Sequence, residues 1–295
     1  MRSLVSELSE LLVMAIMILC LILPAEGRAR EVPARVVSLN LCTDQLLLLL
    51  AEPAQVASLT FLAVDSVSSL MASEAAGYRL NRGRAEEVLE LQPDLVLAGP
   101  YGARETVHLL QRLGYPVETI DDASTFEEIR ANLRRVGDLL GTKEKAMALI
   151  SAMDKQLDSQ PVPGSHDQLV ASTFGVNGYV AGKGTLFAAV ASAAGFQTLG
   201  HRLNFEGYRH VSLEAFLVAG PDVIDPGYAW DDPPALASAY LKHPALKSLL
   251  RSRTLVDFPP ATWNCGLPQL ADAVVTLRQV RRDQTKSAQY RQEQF

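Results

Sequence analysis

The sequence is poor in cysteine and has no excess of positive charge. Three cysteines in 295 residues are too few for a disulfide-rich scaffold. Lys and Arg number 27 against 33 Asp and Glu, for a net charge of −6, and this balance argues against nucleic acid as a partner because binding phosphates needs a basic surface. With 48% hydrophobic and 20% charged residues the chain is not a disordered one. The composition therefore indicates a globular protein of about two domains.

Catalytic motifs are also missing. The chain has no Gly-x-Ser-x-Gly elbow and no His-Glu-x-x-His helix, and no pairing of nucleophile and base is evident. Gly182-Lys183-Gly184-Thr185 suggests a phosphate-binding loop, but that motif needs Gly at position 177 and Ser or Thr directly after the lysine, where the chain has Asn177 and Gly184. We interpret this stretch as a flexible turn. The sequence predicts a protein that is not an enzyme and has no resident cofactor.

No hydrophobic run is long enough to span a membrane. Residues 11–23 form an uncharged run of 13 residues, whereas a transmembrane helix needs about 20 and a secretory signal about 7–15. We therefore predict a signal peptide over residues 1–27, with cleavage after Gly27 or Ala29. A lipid anchor on Cys20 is disfavoured because Leu19 precedes it where a small residue is needed. Export would place the remaining cysteines in an oxidising compartment.

The rest of the chain repeats a pattern of a short apolar strand, a turn and an amphipathic helix. The predicted strands are 35–39, 55–59, 94–98, 116–120, 168–174, 222–225 and 254–258. The predicted helices are 43–51, 104–113, 186–194, 235–250 and 268–282. Alternation of strands and helices is typical of parallel sheets. We predict an α/β fold of two lobes, each with a mostly parallel sheet flanked by helices: an N-terminal lobe over 33–124 and a C-terminal lobe over 166–285, followed by a polar tail over 286–295.

A helical region over 125–160 separates the two lobes. Thr125 and Glu128 form a capping box at its start. Gly141 suits the end of the first helix and Thr142 the cap of the second. A helix of about 16 residues covers about 24 Å, which is enough to connect two lobes, and we expect a long connecting helix with the ligand cleft between the lobes.

Two stretches carry a family resemblance. The shared motif is a short helix that contains Leu-Glu, followed by Pro-Asp and then a buried strand. It occurs at residues 86–96 (EEVLELQPDLV) and again at 212–224 (SLEAFLVAGPDVI), with 222 − 94 = 128 positions between the two Pro-Asp pairs. Together with Arg35-Val36-Val37-Ser38-Leu39-Asn40 at the start of the first lobe, these motifs resemble the periplasmic substrate-binding proteins of ABC importers for ferric siderophores, haem and cobalamin, whose lobes are joined by a rigid helix.

The resemblance implies a function. Such a protein captures an iron complex (siderophore or haem) or cobalamin in the periplasm and delivers it to an ABC permease dimer with its ATPase. One surface glutamate per lobe docks on the permease, and the motifs align these with Glu86 and Glu214. We expect a monomer with small lobe motion. The alternatives are a zinc- or manganese-binding protein of the same architecture and, with less support, an exported enzyme.

The bare-metal alternative needs histidines and carboxylates that converge on the ion. The chain has five histidines, and none lies in the predicted loops at the carboxyl ends of the strands: His108, His166, His201, His210 and His243. We therefore predict no metal site.

Ligands of open parallel sheets bind beyond the carboxyl ends of the strands. The loops predicted there, in both lobes, supply the candidate ligand-binding residues, namely Cys42, Asp65, Tyr101, Arg104, Tyr179, Tyr228, Trp230 and Trp263. The aromatic side chains suit a planar or bulky ligand. Arg104, and with less support Arg202 or Arg209, would attract an anionic ligand.

Cys42 and Cys265 fall in predicted cleft loops, one from each lobe. Three interpretations stay open: a disulfide that clamps the lobes, two separate thiols, or thiolates that touch the ligand or its metal.

Overall fold

The computed structural model describes residues 32–159, 169–175, 178–227 and 243–292, with side chains described through residue 284. The predicted signal peptide (1–27) lies outside the described residues. Within those ranges, no helix combines the length and the apolar character that crossing a bilayer requires.

The N-terminal lobe contains one parallel sheet. Its strands are β1 (Val36–Ser38), β2 (Val56–Thr60), β3 (Leu80–Asn81), β4 (Leu95–Ala98) and β5 (Val117–Thr119). Its helices are α1 (Leu41–Leu50), α2 (Ala85–Leu89) and α3 (Arg104–Arg112). The strand order is β3-β2-β1-β4-β5, and every pairing is parallel. The four predicted strands are confirmed, while β3 was missed because two residues carry no readable periodicity.

The strand order reverses between β1 and β4. Both strands are buried along their whole length, which is why they read as continuous apolar runs rather than as alternating patterns. The chain builds outward from β1 to β2 and β3 on one side, then returns to place β4 and β5 on the other. This reversal opens a crevice beyond the carboxyl ends of β1 and β4.

The C-terminal lobe contains a second parallel sheet and a small two-stranded antiparallel sheet. The strands of the sheet are β6 (Val170–Thr173), β8 (Gln197–Thr198), β10 (Val223–Asp225) and β11 (Thr254–Leu255), in the order β11-β10-β6-β8. The two-stranded sheet pairs β7 (Tyr179–Ala181) with β9 (Tyr208–His210) in antiparallel fashion. The helices are α6 (Leu186–Ala193), α7 (Leu199–Arg202), α8 (Leu213–Ala219), α9 (Pro244–Ser252) and α10 (Leu270–Gln292). In this sheet the order reverses between β6 and β10.

Several predicted boundaries in this lobe were wrong. The strand expected over 254–258 has only two residues, β11. Helix α10 continues to Gln292 rather than ending near residue 282, so most of the segment expected to be a polar tail (286–295) is helical. Polar residues such as Gln, Lys and Arg are good helix formers, and apolar periodicity alone does not detect them. The first part of the helix expected over 235–250 lies outside the described residues.

Two antiparallel helices, α4 (Phe126–Leu140) and α5 (Lys143–Asp158), connect the lobes. The predicted capping box is confirmed: the Glu128 amide donates to Thr125 Oγ1 at 3.2 Å, and the Thr125 amide donates to Glu128 Oε2 at 3.0 Å. Gly141 ends α4 in the left-handed conformation at φ 72°. The expected side-chain cap from Thr142 was wrong, since that side chain makes no capping hydrogen bond.

The helical connector belongs to one continuous core. Helix α4 packs against α1 of the N-terminal lobe, and α5 packs against α10 of the C-terminal lobe. A Cβ added at Gly137 would lie 2.6 Å from the Cβ of Ala146, so α4 and α5 approach closely where glycine leaves room. The cluster of buried apolar residues extends from Leu47 through Leu133 and Ile150 to Val274. This packing predicts a rigid connection between the lobes.

Candidate ligand-binding site

The reversal point of the N-terminal sheet is built around Asn40. Its side-chain oxygen accepts hydrogen bonds from the amides of Cys42, at 2.9 Å, and of Thr43, at 3.0 Å, and so caps α1. A Cβ added at Gly99, the residue after β4, would lie 2.6 Å from Asn40 Nδ2. Glycine at position 99 therefore makes room for the cap. Because Asn40 caps α1, Cys42 lies in the first turn of that helix.

Asp44 lies buried beneath this edge of the sheet. Its carboxylate accepts hydrogen bonds from the amide of Thr60, at 2.9 Å, and from the Thr60 hydroxyl. Burial raises the pKa of Asp44 to about 6, although these hydrogen bonds act in the opposite direction. The carboxylate thereby fixes the carboxyl end of β2, from which the next turn emerges.

Phe61 and Arg82 form a cation–aromatic pair that the sequence analysis missed. Phe61 follows β2 and is 43% exposed. Arg82 follows β3, and its guanidinium carbon lies 4.9 Å from the centre of the Phe61 ring. The pair lies beyond the carboxyl ends of two neighbouring strands. Because β3 was not predicted, nothing in the sequence marked Arg82 as a residue at the end of a strand.

The other residues predicted for this lobe have different environments. Tyr101 follows β4 and is 68% exposed, and the exposed Arg104 begins α3. Asp65 accepts hydrogen bonds from the Ser68 hydroxyl, at 2.7 Å, and the Val67 amide, at 3.1 Å, and these bonds lower its pKa. The Asp65 carboxylate thus stabilises its own turn.

In the C-terminal lobe the reversal point is occupied by Asp225. This last residue of β10 lies in register with Thr173 of β6 and is buried. Its carboxylate accepts hydrogen bonds from Trp263 Nε1 at 2.9 Å and from the Gly227 amide at 3.1 Å. Burial raises the pKa of Asp225 to about 6. In the sequence Asp225 marks only the end of an apolar strand, and no local pattern indicates its partner Trp263.

Trp263 ends a 3-10 turn over Pro260–Trp263. Its ring makes edge-to-face contacts with Phe187, at 5.3 Å between ring centres, and with Phe258, at 5.2 Å. Trp263 is partly exposed, so it combines a fixed ring with an accessible surface.

The two-stranded sheet beside β6 presents the remaining described candidate of this lobe. Tyr179 is 50% exposed and pairs in register with His210, whose ring centre lies 6.3 Å away. Arg209 lies over the Phe205 ring at 5.0 Å, while Arg202 donates a hydrogen bond to the Ala219 carbonyl at 3.0 Å. Tyr228 and Trp230 lie outside the described residues.

Residues 263–266, which we call the interlobe strap, connect this lobe to the N-terminal one. A disulfide joins Cys265 to Cys42, with an S–S distance of 2.09 Å and 5.2 Å between the Cα atoms. Asn264 Nδ2 donates a hydrogen bond to the carbonyl oxygen of Ser68 at 3.0 Å. A Cβ added at Gly266 would lie 2.7 Å from the Cβ of Ala123. Of the three interpretations of the cysteines, the structure has the disulfide.

Comparison with known proteins identifies the family. A family model described as periplasmic binding protein matches residues 36–225, which is more than half of the 295 residues. The chain belongs to this periplasmic binding protein family. The match covers the whole N-terminal lobe, the connector and the C-terminal lobe as far as Asp225.

Individual proteins are similar to this periplasmic binding protein in sequence or in structure. A cobalamin-binding protein of Halobacterium salinarum is 27% identical over 227 residues, which cover 75% of this chain and 60% of that protein. The match therefore spans about 60% of that relative's length. An uncharacterised ABC transporter substrate-binding lipoprotein of Bacillus subtilis is 32% identical over 75 residues, 24% of each protein. A haem-binding periplasmic protein of Roseiflexus sp. RS-1 superposes with a TM-score of 0.68 at 19% identity, covering 83% of this chain and 96% of that one.

The two motif glutamates of the periplasmic binding protein occupy equivalent positions in the two lobes. Glu86 lies in the first turn of α2 and Glu214 in the first turn of α8, and both are exposed. The neighbouring Glu87 carboxylate accepts hydrogen bonds from the amides of Arg82, at 2.7 Å, and Arg84, at 3.4 Å. Glu87 is thus engaged in capping, whereas Glu86 projects from the surface.

The described part of the chain contains no cluster of three or more His, Cys, Asp or Glu side chains that could hold a metal ion. His201 Nδ1 shares a hydrogen bond of 2.7 Å with the Thr198 hydroxyl, and His243 accepts one from the Ala245 amide at 3.2 Å. His166 lies outside the described residues.

A cavity of about 560 Å³ lies at the other edge of the C-terminal sheet. It is lined by residues at the starts of β6, β10 and β11, including Leu169, Asp222 and Thr254. Ligands of parallel sheets bind at the opposite, carboxyl end of the strands, so this cavity is distinct from the candidate site.

Proposed function

We propose that this periplasmic binding protein captures a bulky chelate, either an iron complex (siderophore or haem) or cobalamin, between its two lobes and delivers it to an ABC permease. The observation that carries the proposal is the set of residues near the carboxyl ends of the strands in the two parallel sheets. Each lobe presents partly exposed aromatic side chains in the segments that follow its parallel strands: Phe61 after β2 and Tyr101 after β4 in one lobe, Tyr179 in β7 and Trp263 after β11 in the other.

The chemistry of these residues favours a large ligand with an extended surface. Aromatic rings offer broad contact area at a small entropic cost, and they suit the faces of a porphyrin, a corrin or a catecholate. Arg82, held over Phe61, and the exposed Arg104 supply cations at the same edge for the carboxylates or phenolates that such ligands carry. A bare metal ion would need a set of converging donors, for which the described residues offer no cluster.

Delivery would use Glu86 and Glu214. Each lobe has one exposed carboxylate at the start of a short helix. Two negative charges in these positions would attract a partner that carries two matching cations and would fix the orientation in which the two proteins bind. Glu87 is held by backbone amides, and this favours Glu86 as the docking residue. The B. subtilis relative named as an ABC transporter lipoprotein supports this class of partner.

Export to the periplasm by residues 1–27 fits the disulfide. Disulfides form and persist in oxidising compartments and are rare in the cytosol. The family assignment supports the same location.

Equilibrium titration of the purified protein tests the proposal. Haemin, cyanocobalamin, a ferric hydroxamate and a ferric catecholate are added separately, and tryptophan fluorescence and visible absorption are recorded. Saturable binding of one of them at one molecule per chain supports the proposal. Saturable binding of Zn²⁺ or Mn²⁺, with none of the four chelates bound, would overturn it in favour of the bare-metal alternative.

A further inference from the structure

Trp263 is held by a directional hydrogen bond as well as by ring contacts. Its indole Nε1 donates to Asp225 Oδ2 at 2.9 Å, and its ring meets the edges or faces of Phe187 and Phe258. The next two residues, Asn264 and Cys265, are tied to the other lobe. The ring therefore has one defined orientation, although part of it remains exposed.

Asp225 supplies the only one of these contacts that fixes the rotation of the indole by a directional bond. Its carboxylate is buried and accepts hydrogen bonds at both oxygens: Gly227 N–H at Oδ1 and Trp263 Nε1–H at Oδ2. The indole nitrogen donates a single hydrogen bond and cannot accept one. The position of Oδ2 therefore sets the direction in which the N–H bond, and the edge of the ring that carries it, points. A bond of this kind to an ionised group is stronger than one between neutral partners.

The position of Asp225 in the sheet makes this bond relevant to the ligand site. It is the last residue of β10 at the reversal point beside β6, where ligands of such sheets bind. Being buried, Asp225 has no surface of its own to offer a ligand. Its effect must pass through the indole and through the turn at Gly227.

We propose that Asp225 is a positioning residue, which holds the Trp263 indole in the orientation that receives the ligand. The inference rests on the proposed function and adds a specificity-determining contact to it. A ring that is ordered before binding loses less side-chain entropy on complex formation. Ligand affinity therefore depends on Asp225 even though that carboxylate does not touch the ligand.

The test isolates the fluorescence of Trp263. The sequence contains two tryptophans, so the parent for all measurements is Trp230→Phe, in which Trp263 is the only one. Two substitutions are compared in that parent. Asp225→Asn keeps one oxygen that accepts from the indole N–H, with its NH2 group then facing the Gly227 N–H, and Asp225→Leu has similar size but no acceptor. The readouts are the emission maximum and anisotropy of Trp263 without ligand, and the Kd for haemin and for cyanocobalamin.

Asp225→Leu is expected to lower the anisotropy of Trp263, to shift its emission, and to raise the Kd of the probe that the parent binds by about tenfold or more, the effect of a lost charge-assisted bond. Asp225→Asn is expected to restore the anisotropy and most of the affinity. An unchanged anisotropy and Kd in Asp225→Leu would overturn the proposal, even if the variant melted at a lower temperature, because Asp225 would then serve stability alone.

A second variant keeps the test decisive if Asp225→Leu does not fold. Trp263→Phe retains an aromatic ring but lacks the donor, and it is studied with Trp230 present. It is expected to weaken probe binding, and an unchanged Kd would overturn the proposal. Failure of the proposed function looks different, because the wild-type protein, with Trp230 in place, would then bind neither probe, while the anisotropy of Trp263 in the Trp230→Phe parent would still respond to Asp225.

Discussion

Cys42 and Cys265 are 223 positions apart in the sequence, yet a disulfide joins them with 5.2 Å between their Cα atoms. Cys42 lies in the first turn of α1, two residues after the Asn40 cap, and Cys265 lies in the interlobe strap. The bond therefore ties the reversal point of one sheet to the segment that carries Trp263. Two elements that present candidate ligand contacts are held at a fixed spacing.

The disulfide should contribute strongly to stability. A loop of this length predicts a contribution of about 5 kcal/mol when the gain is assigned to the entropy of the unfolded chain. The double variant Cys42→Ser, Cys265→Ser should lose about that much free energy of unfolding in denaturant titrations, with the native circular dichroism spectrum retained because the connector helices still join the lobes. Thiol titration of the processed, unreduced protein after denaturation should find no reactive thiol; two would contradict the disulfide.

The two buried carboxylates should make stability fall as pH rises. Burial raises the pKa of Asp44 and that of Asp225 from 3.8 to about 6. The folded protein thus binds these protons more tightly than the unfolded chain does. Their favourable contribution is fully present below pH 3.8 and is lost as pH rises through about 6.

Asp225→Asn removes one of these titrations. Relative to wild type, its free energy of unfolding should rise by up to about 3 kcal/mol between about pH 4 and pH 7. Denaturant titrations at several pH values measure the difference, and Glu144→Gln, a change at an exposed helix residue, is the control that should show no such trend. The nearby Asp257 raises the pKa of Asp225 further and is left unchanged. A pH-independent difference would refute the assignment.

The two glutamates proposed to dock on the permease should separate binding from transport. In Glu86→Ala, Glu214→Ala the affinity for the ligand should stay at the wild-type value, because both side chains lie on exposed helix turns. Uptake in cells that depend on this protein should be abolished. Glu144→Ala, an exposed glutamate in the first turn of α5, is the matched control and should leave uptake intact. Normal uptake in the double variant would refute the docking role.

Gly99 should be required by the Asn40 cap. Gly99→Ala places a methyl group within 2.6 Å of Asn40 Nδ2, and we expect a loss of about 1–3 kcal/mol, typical of overpacking. Asn40→Ala alone should cost about 1 kcal/mol through loss of the cap. In the double variant Gly99→Ala should cost much less than it does alone, since only the Cβ of residue 40, at 3.3 Å, then remains close to the added methyl group. Strict additivity in thermal or denaturant unfolding would show that the two residues do not interact.

The sequence predicted those features whose signals are local. The capping box of Thr125 and Glu128 depends on residues three positions apart, and it was found with its boundaries. The strands β1 and β4 were found because a fully buried parallel strand is a continuous apolar run. Gly141 was also predicted from a local signal. A helix often ends at a residue in the left-handed conformation, and glycine is the residue that most readily adopts it.

The missed features depend on partners far along the chain. The bond between Asp225 and Trp263 joins residues 38 positions apart, and Asp225 alone reads as the end of an apolar strand. Phe61 and Arg82 meet only because β2 and β3 are neighbours in the sheet. Cys42 and Cys265 could be proposed as a pair, but three interpretations remained until the strap brought them together. Tertiary packing, not local propensity, decides such contacts.

The most direct test of the account is the native mass spectrum of the processed protein, recorded with its visible absorption after incubation with haemin, cyanocobalamin and the two ferric siderophores in turn. The account predicts a complex of one ligand per chain for one of these chelates, with the matching absorption band. It also predicts loss of that complex when Tyr101 and Trp263, one from each lobe, are both replaced by alanine. Absence of a complex with every chelate, or a complex that survives the double substitution unchanged, would contradict it.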